Sequence, residues 1–288
     1  MVNLAGGLIA NSIDFTTEPY GGSVQHYYHF LLGLVVPLVS FAMLDQDFRN
    51  GRCLFIRSCG PLDRIILELH LGNIHILSPE QHREIRSQDP PPQQRMVRLK
   101  GFDNERQFDS VVFRRVSHHL KALLQNEISS VAHMLRSQRP RILIIRRDTP
   151  DEFYASASCE IKTASAQRRS ISNHSEIREE ISRAVGPCLE VALERSTLAE
   201  QIALFSWATV IVAQHGAALA NLIWAEPPAH VIEIAPQPMR GRVERRQEFG
   251  RLAKCLGLTH EIVWQNDRHG PVDPLVLSAR IAASLCNR

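Results

Sequence analysis

From residue 141 onward the chain alternates short apolar, β-branched runs with segments of helical period, and this alternation constrains its fold more than any other feature. Strands are expected at about 141–146, 188–193, 209–213, 230–235 and 260–264, and helices at about 175–185, 197–207, 216–225, 243–256 and 273–286. Strands joined through helices lie parallel, and such a sheet is covered on both faces. Its most ordered stretch, Thr197 to Pro236, runs helix, strand, tight turn, helix, strand. The turn falls at Gln214-His215-Gly216, where glycine can take backbone angles closed to other residues. A strand that ends there and opens a helix brings backbone N–H groups and a positive helix end to one point, a place to hold phosphate. Any strand-to-helix turn can need a glycine, so this motif alone leaves a purely structural reading open.

Ligands of open parallel sheets sit beyond the carboxyl ends of the strands. Three groups are expected there: Arg146-Arg147-Asp148, then His215-Gly216-Ala217, then Glu233 to Pro236. Arginine forks and a helix N-terminus suit a diphosphate, and a carboxylate suits ribose hydroxyls, so the combination fits a nucleotide sugar. Each has a plainer reading as well. Arg146 and Arg147 are then solvated strand-end charges, His215 a helix cap, Asn221 a bond to the preceding loop, and Glu233 structural.

The first half reads as a less regular α/β domain. Strands are expected at about 53–58, 65–69, 73–78 and 110–115, with a proline loop at Asp89–Gln94 and a long helix over about 117–137. The polar Ser137-Gln138-Arg139-Pro140 sets the expected boundary between domains 1–137 and 138–288. Tyr27 to Leu44 has about the minimum length of a membrane span, but it contains His29, Pro37 and Ser40 and has no basic flank on its N-terminal side. It is expected to be a buried helix, kinked or broken near Pro37.

A net charge of +3 does not call for nucleic acid as a partner. Four lysines (Lys100, Lys121, Lys162 and Lys254) among 33 basic residues leave 29 arginines, an excess that codon bias alone can produce. Six cysteines show no metal-binding or disulfide spacing, and MVNLAGGLIANS lacks a basic n-region. The expected compartment is the cytoplasm, with peripheral membrane association left open.

Three ordered blocks carry a resemblance: Gln201-x-x-Leu204-Phe205-x-x-Ala208, His215-Gly216-Ala217-Ala218-Leu219-Ala220-Asn221-Leu222, and Val231-Ile232-Glu233-Ile234-x-Pro236. Together they resemble the signature of the family 61 glycosyltransferases, which include capsular-polysaccharide enzymes and xylosyl- and N-acetylglucosaminyltransferases. His29 to Leu38 is similar to the family pattern H-x-x-x-D-x-x-x-P-L, with Gly33 where an acid is common. Arg169 to Glu176 is similar to its R-x-x-x-N block, with Asn173 as the asparagine, and the long Asp151–Gln167 stretch before it reads as a mobile loop.

The resemblance implies a GT-B-like fold of two Rossmann-like domains facing a cleft, and inverting transfer from a UDP-sugar, which is substrate and not cofactor, to a glycan or polysaccharide acceptor. The donor-binding residues are then Arg146, Arg147, Arg169, Asn173, His215, Gly216, Ala217, Asn221 and Glu233. Arginines and the helix after Gly216 would stabilise the leaving diphosphate without a metal. The base is expected from the first domain: His29, with His26 as substitute, because both lie at the mouth of the apolar helix and histidine titrates near neutral pH. A metal reading of the His26/His29 pair finds no third ligand. A catalytically degenerate binding relative and a GT-B-like sugar-nucleotide epimerase remain as alternatives.

Overall fold

The structure is a computed structural model that describes residues 12–17, 23–87, 95–99, 108–137, 139–157, 159–161 and 163–286. The readings of the first eleven residues and of the Asp89–Gln94 loop lie outside the described residues. The chain divides into two compact units, Met1–Asp103 and Asn104–Arg288.

Unit 1 holds a parallel sheet of β1 (Ile13–Thr17), β2 (Leu54–Arg57), β3 (Ile74–Leu77) and β4 (Arg95–Leu99) in the order β3-β2-β1-β4. The apolar segment Tyr27–Leu44 is continuously helical and is long and apolar enough to cross a membrane, yet 61% of it is buried inside the structure. Phe30, Leu31, Leu34, Val35, Leu38 and Val39 are buried, and Phe41 packs on Phe15 of β1 with ring centroids 5.5 Å apart. Its expected break is a π-helical turn, Leu31–Val35, which ends two residues before Pro37. Proline has no N–H to offer a carbonyl one turn back, and a widened turn accommodates that loss.

Two expected strands are helices. Asp63–Glu68 replaces the strand at 65–69, with Asp63 accepting from Cys59 N at 2.6 Å and Ser58 Oγ at 2.5 Å. Ser110–Leu123 replaces the strand at 110–115, because Asp109 caps it by accepting from Val111 N at 2.9 Å and Val112 N at 3.2 Å. A satisfied N-cap thus outweighs the β-branched Val111-Val112 pair. The long helix ends at Leu123, and a second runs over Gln125–Leu135.

Both of these helices belong to unit 2. Arg114 Nη2 donates to Leu256 O at 3.3 Å and Lys121 Nζ to Trp224 O at 3.1 Å, placing cations at two helix C-termini. Trp207 Nε1 donates to Leu135 O at 3.2 Å. The units therefore part at 103–104, ahead of the polar stretch at 137–140 where the sequence suggested the boundary.

Unit 2 carries a fully parallel sheet of β5 (Ile142–Arg146), β6 (Cys188–Ala192), β7 (Val210–Gln214), β8 (His230–Pro236) and β9 (Thr259–Gln265), close to the expected spans. The order is β6-β5-β7-β8-β9. On one face Ile142, Ile144, Val210, Val212, Ile232, Ile234 and Val263 pack with Ile177, Ile181, Leu277 and Ile281 from the helices His174–Ala184 and Pro274–Cys286. The alternate residues Leu143, Ile145, Ile211, Ala213 and Val231 are also buried, so both faces are covered. Thr197 and Glu200 form a capping box that starts the helix Leu198–Trp207. The expected helix at 216–225 is a 3-10 helix, Ala217–Trp224, and that at 243–256 is two helices broken at Gln247, whose φ is 45°. Strand order reverses between β5 and β7, the topological switch point at which such sheets bind ligands.

Candidate anion-binding site

The carboxyl ends of β5 and β7 are tied together by Arg147. Its Nη2 donates to His215 O at 2.8 Å and its Nη1 to Ser165 O at 3.1 Å. Ser165 takes left-handed angles, φ 42°, and the next amide, Ala166 N, returns to Asp148 O at 3.1 Å. The C-terminal end of the Asp151–Gln167 stretch is thereby pinned across the end of β5. Two residues further on Arg169 follows, itself only 6% exposed.

Gly216 makes room for both guanidinium groups. A β-carbon there would lie 1.9 Å from Arg147 Nη2 and 3.3 Å from Arg169 Nη2, and the residue's φ of 149° with ψ −167° is open to glycine alone. Gly216→Ala should therefore displace Arg147, lowering stability by about 2–3 kcal/mol and weakening anion binding at least tenfold. Thermal melts with and without pyrophosphate check this, and an unchanged response to pyrophosphate would refute it.

Among the described residues neither of these buried cations forms a salt bridge, and the carboxylate that acts on either is Glu194, which attracts Arg147. Among the described residues the buried Nε atoms of Arg147 and Arg169 have no hydrogen-bond partner, and Arg169 Nη1 donates at 3.0 Å to the thioether of Met239, a poor acceptor. Burial pushes Arg147 down to about 10, with Glu194 partly offsetting it and Arg168 adding to it. Arg169 falls to about 9 through burial and the repulsion of Arg147, Arg168, Arg242 and Arg268. Both stay above neutral pH, so both are cations. Two buried guanidinium groups meet at the Gly216 turn, with Arg168 and the exposed Arg242 and Arg268 near enough to repel Arg169, and among the described residues no acid offsets the charge at Arg169; an anion would, and a fork geometry suits phosphate oxygens.

The other sequence-selected residues have these partners. Arg146 turns away to Glu190 at 3.6 Å, which His174 also approaches at 3.5 Å. Asn173 exchanges two bonds with Val272, Nδ2 to O at 2.8 Å and Val272 N to Oδ1 at 2.9 Å, and so ties down a loop. Asn221 is fully buried, donating to Ala218 O at 3.2 Å and accepting from Trp224 Nε1 at 2.9 Å. Glu233 is buried, with one oxygen on His215 Nδ1 and the other on His260 Nε2 at 2.8 Å. It supports His215 from behind, whereas the sequence reading gave it ribose hydroxyls. Ala217 opens the 3-10 helix next to the arginines.

In unit 1, His26 precedes the helix Tyr27–Phe30 and His29 lies within it, their rings 6.4 Å apart. Gly33 is buried in the π-helical turn. Among the described residues no group of three or more His, Cys, Asp or Glu side chains is placed to hold a metal ion. Sequence reasoning assigned no site role to Arg168, Arg242, Arg268, Gln265 or His260, and named Gln214 only as part of the turn. Of these only Arg168, beside Arg169, and the two strand-terminal glutamines carried a positional signal.

No curated protein matches the chain. The family model described as Glycosyltransferase 61 matches residues 27–232, from the apolar helix of unit 1 into β8 of unit 2. That range takes in well over half of the chain, including Arg147, Arg169 and Gly216. By this match the chain belongs to glycosyltransferase family 61, and family membership implies glycosyl transfer as its activity.

Proposed function

We propose that the protein is an inverting glycosyltransferase taking a sugar from a UDP-class nucleotide donor to a glycan or polysaccharide acceptor. The labour is divided in a GT-B-like way, with the donor held by unit 2. One observation carries the donor assignment: Arg147 and Arg169 are buried cations with unpartnered Nε atoms around a glycine turn at the switch point. A diphosphate would accept from these N–H groups and neutralise them. As the anomeric C–O bond breaks, charge grows on the leaving diphosphate, and fixed guanidinium groups stabilise that state more than the ground state. They take the part that a divalent cation plays in other phosphate sites.

On the acceptor, a hydroxyl oxygen forms the new bond to the anomeric carbon from the face opposite the leaving group. Its proton passes to His29, with His26 as substitute. The assignment of His29 fails if His29→Ala turns over at the wild-type rate. One observation favours a binding-only role: buried Gly33 stands where the resemblance expects an acid.

A titration panel of UDP, UDP-sugars, GDP and CMP, followed by incubation with acceptor glycans, tests the reading. UDP binding with sugar transfer is the expected result. UDP binding without transfer supports the binding-only role, and an epimerised nucleotide sugar without acceptor supports an epimerase. Failure of every nucleotide to bind overturns all three.

A further inference from the structure

The segment that carries Arg169 faces a mechanical problem. Four other guanidinium groups repel Arg169, and an extended segment, free to move, would carry it out to solvent. Two buried glutamines at the ends of β7 and β9 oppose that movement. Gln214 Nε2 donates to Ser170 O at 3.1 Å and Gln265 Nε2 donates to the same carbonyl at 2.9 Å. Gln265 Nε2 also donates to Gly270 O at 2.5 Å, while its Oε1 accepts from Gln214 Nε2 at 2.6 Å. The glutamines are 3% and 1% exposed. Carbonyl oxygens face each amide nitrogen, so the orientation of both side chains is set by their partners.

We infer that Gln214 and Gln265 are positioning residues of the anion site, latching the Arg169 segment against the end of the sheet. This inference rests on the donor-site reading above. The latch grips Ser170, the residue after Arg169, and Ser170 N in turn donates to Arg268 O at 2.9 Å. Gln214 also directly precedes His215, whose carbonyl holds Arg147. One amide pair thereby fixes both walls of the site, the Gly216 turn and the Arg169 segment, and a preorganised cation pair binds an anion without first paying for its own ordering. A self-contained structural pair would satisfy its own atoms, whereas here the buried Gln214 Oε1 has no partner among the described residues while both amide nitrogens serve carbonyls.

The experiment is a double-mutant cycle read by pyrophosphate titration on wild type, Gln265→Met, Arg169→Ala and the double variant. The expected result is that Gln265→Met weakens pyrophosphate about tenfold in the wild-type background and less than twofold when Arg169 is already alanine. Equal, multiplicative losses in both backgrounds, or no loss from Gln265→Met, would overturn the inference. If Gln265→Met does not fold, Gln214→Met, which keeps both carbonyl bonds of Gln265, is measured in the same cycle. A wild-type protein that binds neither pyrophosphate nor UDP refutes the donor reading itself and this inference with it. Binding by wild type with an additive cycle refutes the latch alone.

Discussion

Replacing Arg169 with methionine should weaken UDP binding by about ten- to a hundredfold and, in the same protein without nucleotide, raise stability by about 1–3 kcal/mol. The two effects have one cause. Arg169 is buried among like charges, with a thioether as acceptor for one N–H and nothing for Nε, so the empty site bears the cost of an unneutralised cation. Methionine has similar reach and no charge, and it packs beside Met239 without that cost. With a diphosphate bound the balance reverses, because a charge-assisted bond of about 1.5–3 kcal/mol is lost. Urea unfolding and UDP titration on the same preparations check both halves. A variant less stable than wild type without nucleotide, yet equal to it in UDP affinity, would make Arg169 an ordinary structural residue.

Arg147 differs from Arg169 in a way that sequence could not convey. Its ends are spent on the His215 and Ser165 carbonyls, so it is as much a strut across the switch point as a ligand. The parallel sheet of unit 2 was legible because alternation of β-branched runs and helical periods depends only on local pattern and burial. The ends of those strands were legible too, which is why Arg147 and Gly216 could be singled out. Side-chain direction was not. Arg146 and Arg147 are neighbours, yet one turns to Glu190 and the other into the site.

The same limit hid Gln214 and Gln265. Strand-terminal glutamines give no periodic signal, and their partners, Ser170 and Gly270, are carbonyls of distant loops. In unit 1 and at its border the misread strands at 65–69 and 110–115 were short apolar runs. There a cap or a first-turn aspartate decides between helix and strand.

Glu233→Gln should cost about 3 kcal/mol of stability at pH 7, and less than half of that at pH 3. Burial alone would raise the carboxyl's pKa, but hydrogen bonds and charge from His215 and His260 overcome it and hold Glu233 down to about 2, against an ordinary 4.5. A carboxylate depressed in the folded state contributes stability fully above the unfolded value, and that contribution drains away as pH falls from about 4.5 towards 2. An ionised Glu233 is acceptor-only, so His215 must carry its proton on Nδ1 and His260 on Nε2. Glutamine presents one donor where two acceptors stood, so one imidazole meets an amide N–H and must turn. His215 is the one that matters for the site, since its carbonyl holds Arg147 and its peptide leads into Gly216. The variant should thus lose some UDP affinity along with stability. Urea unfolding of both proteins at pH 7 and pH 3 is the measurement: a stability gap of the same size at the two pH values would mean that the carboxylate is not ionised between its two histidines, and that His215 is held by packing against Phe249 instead.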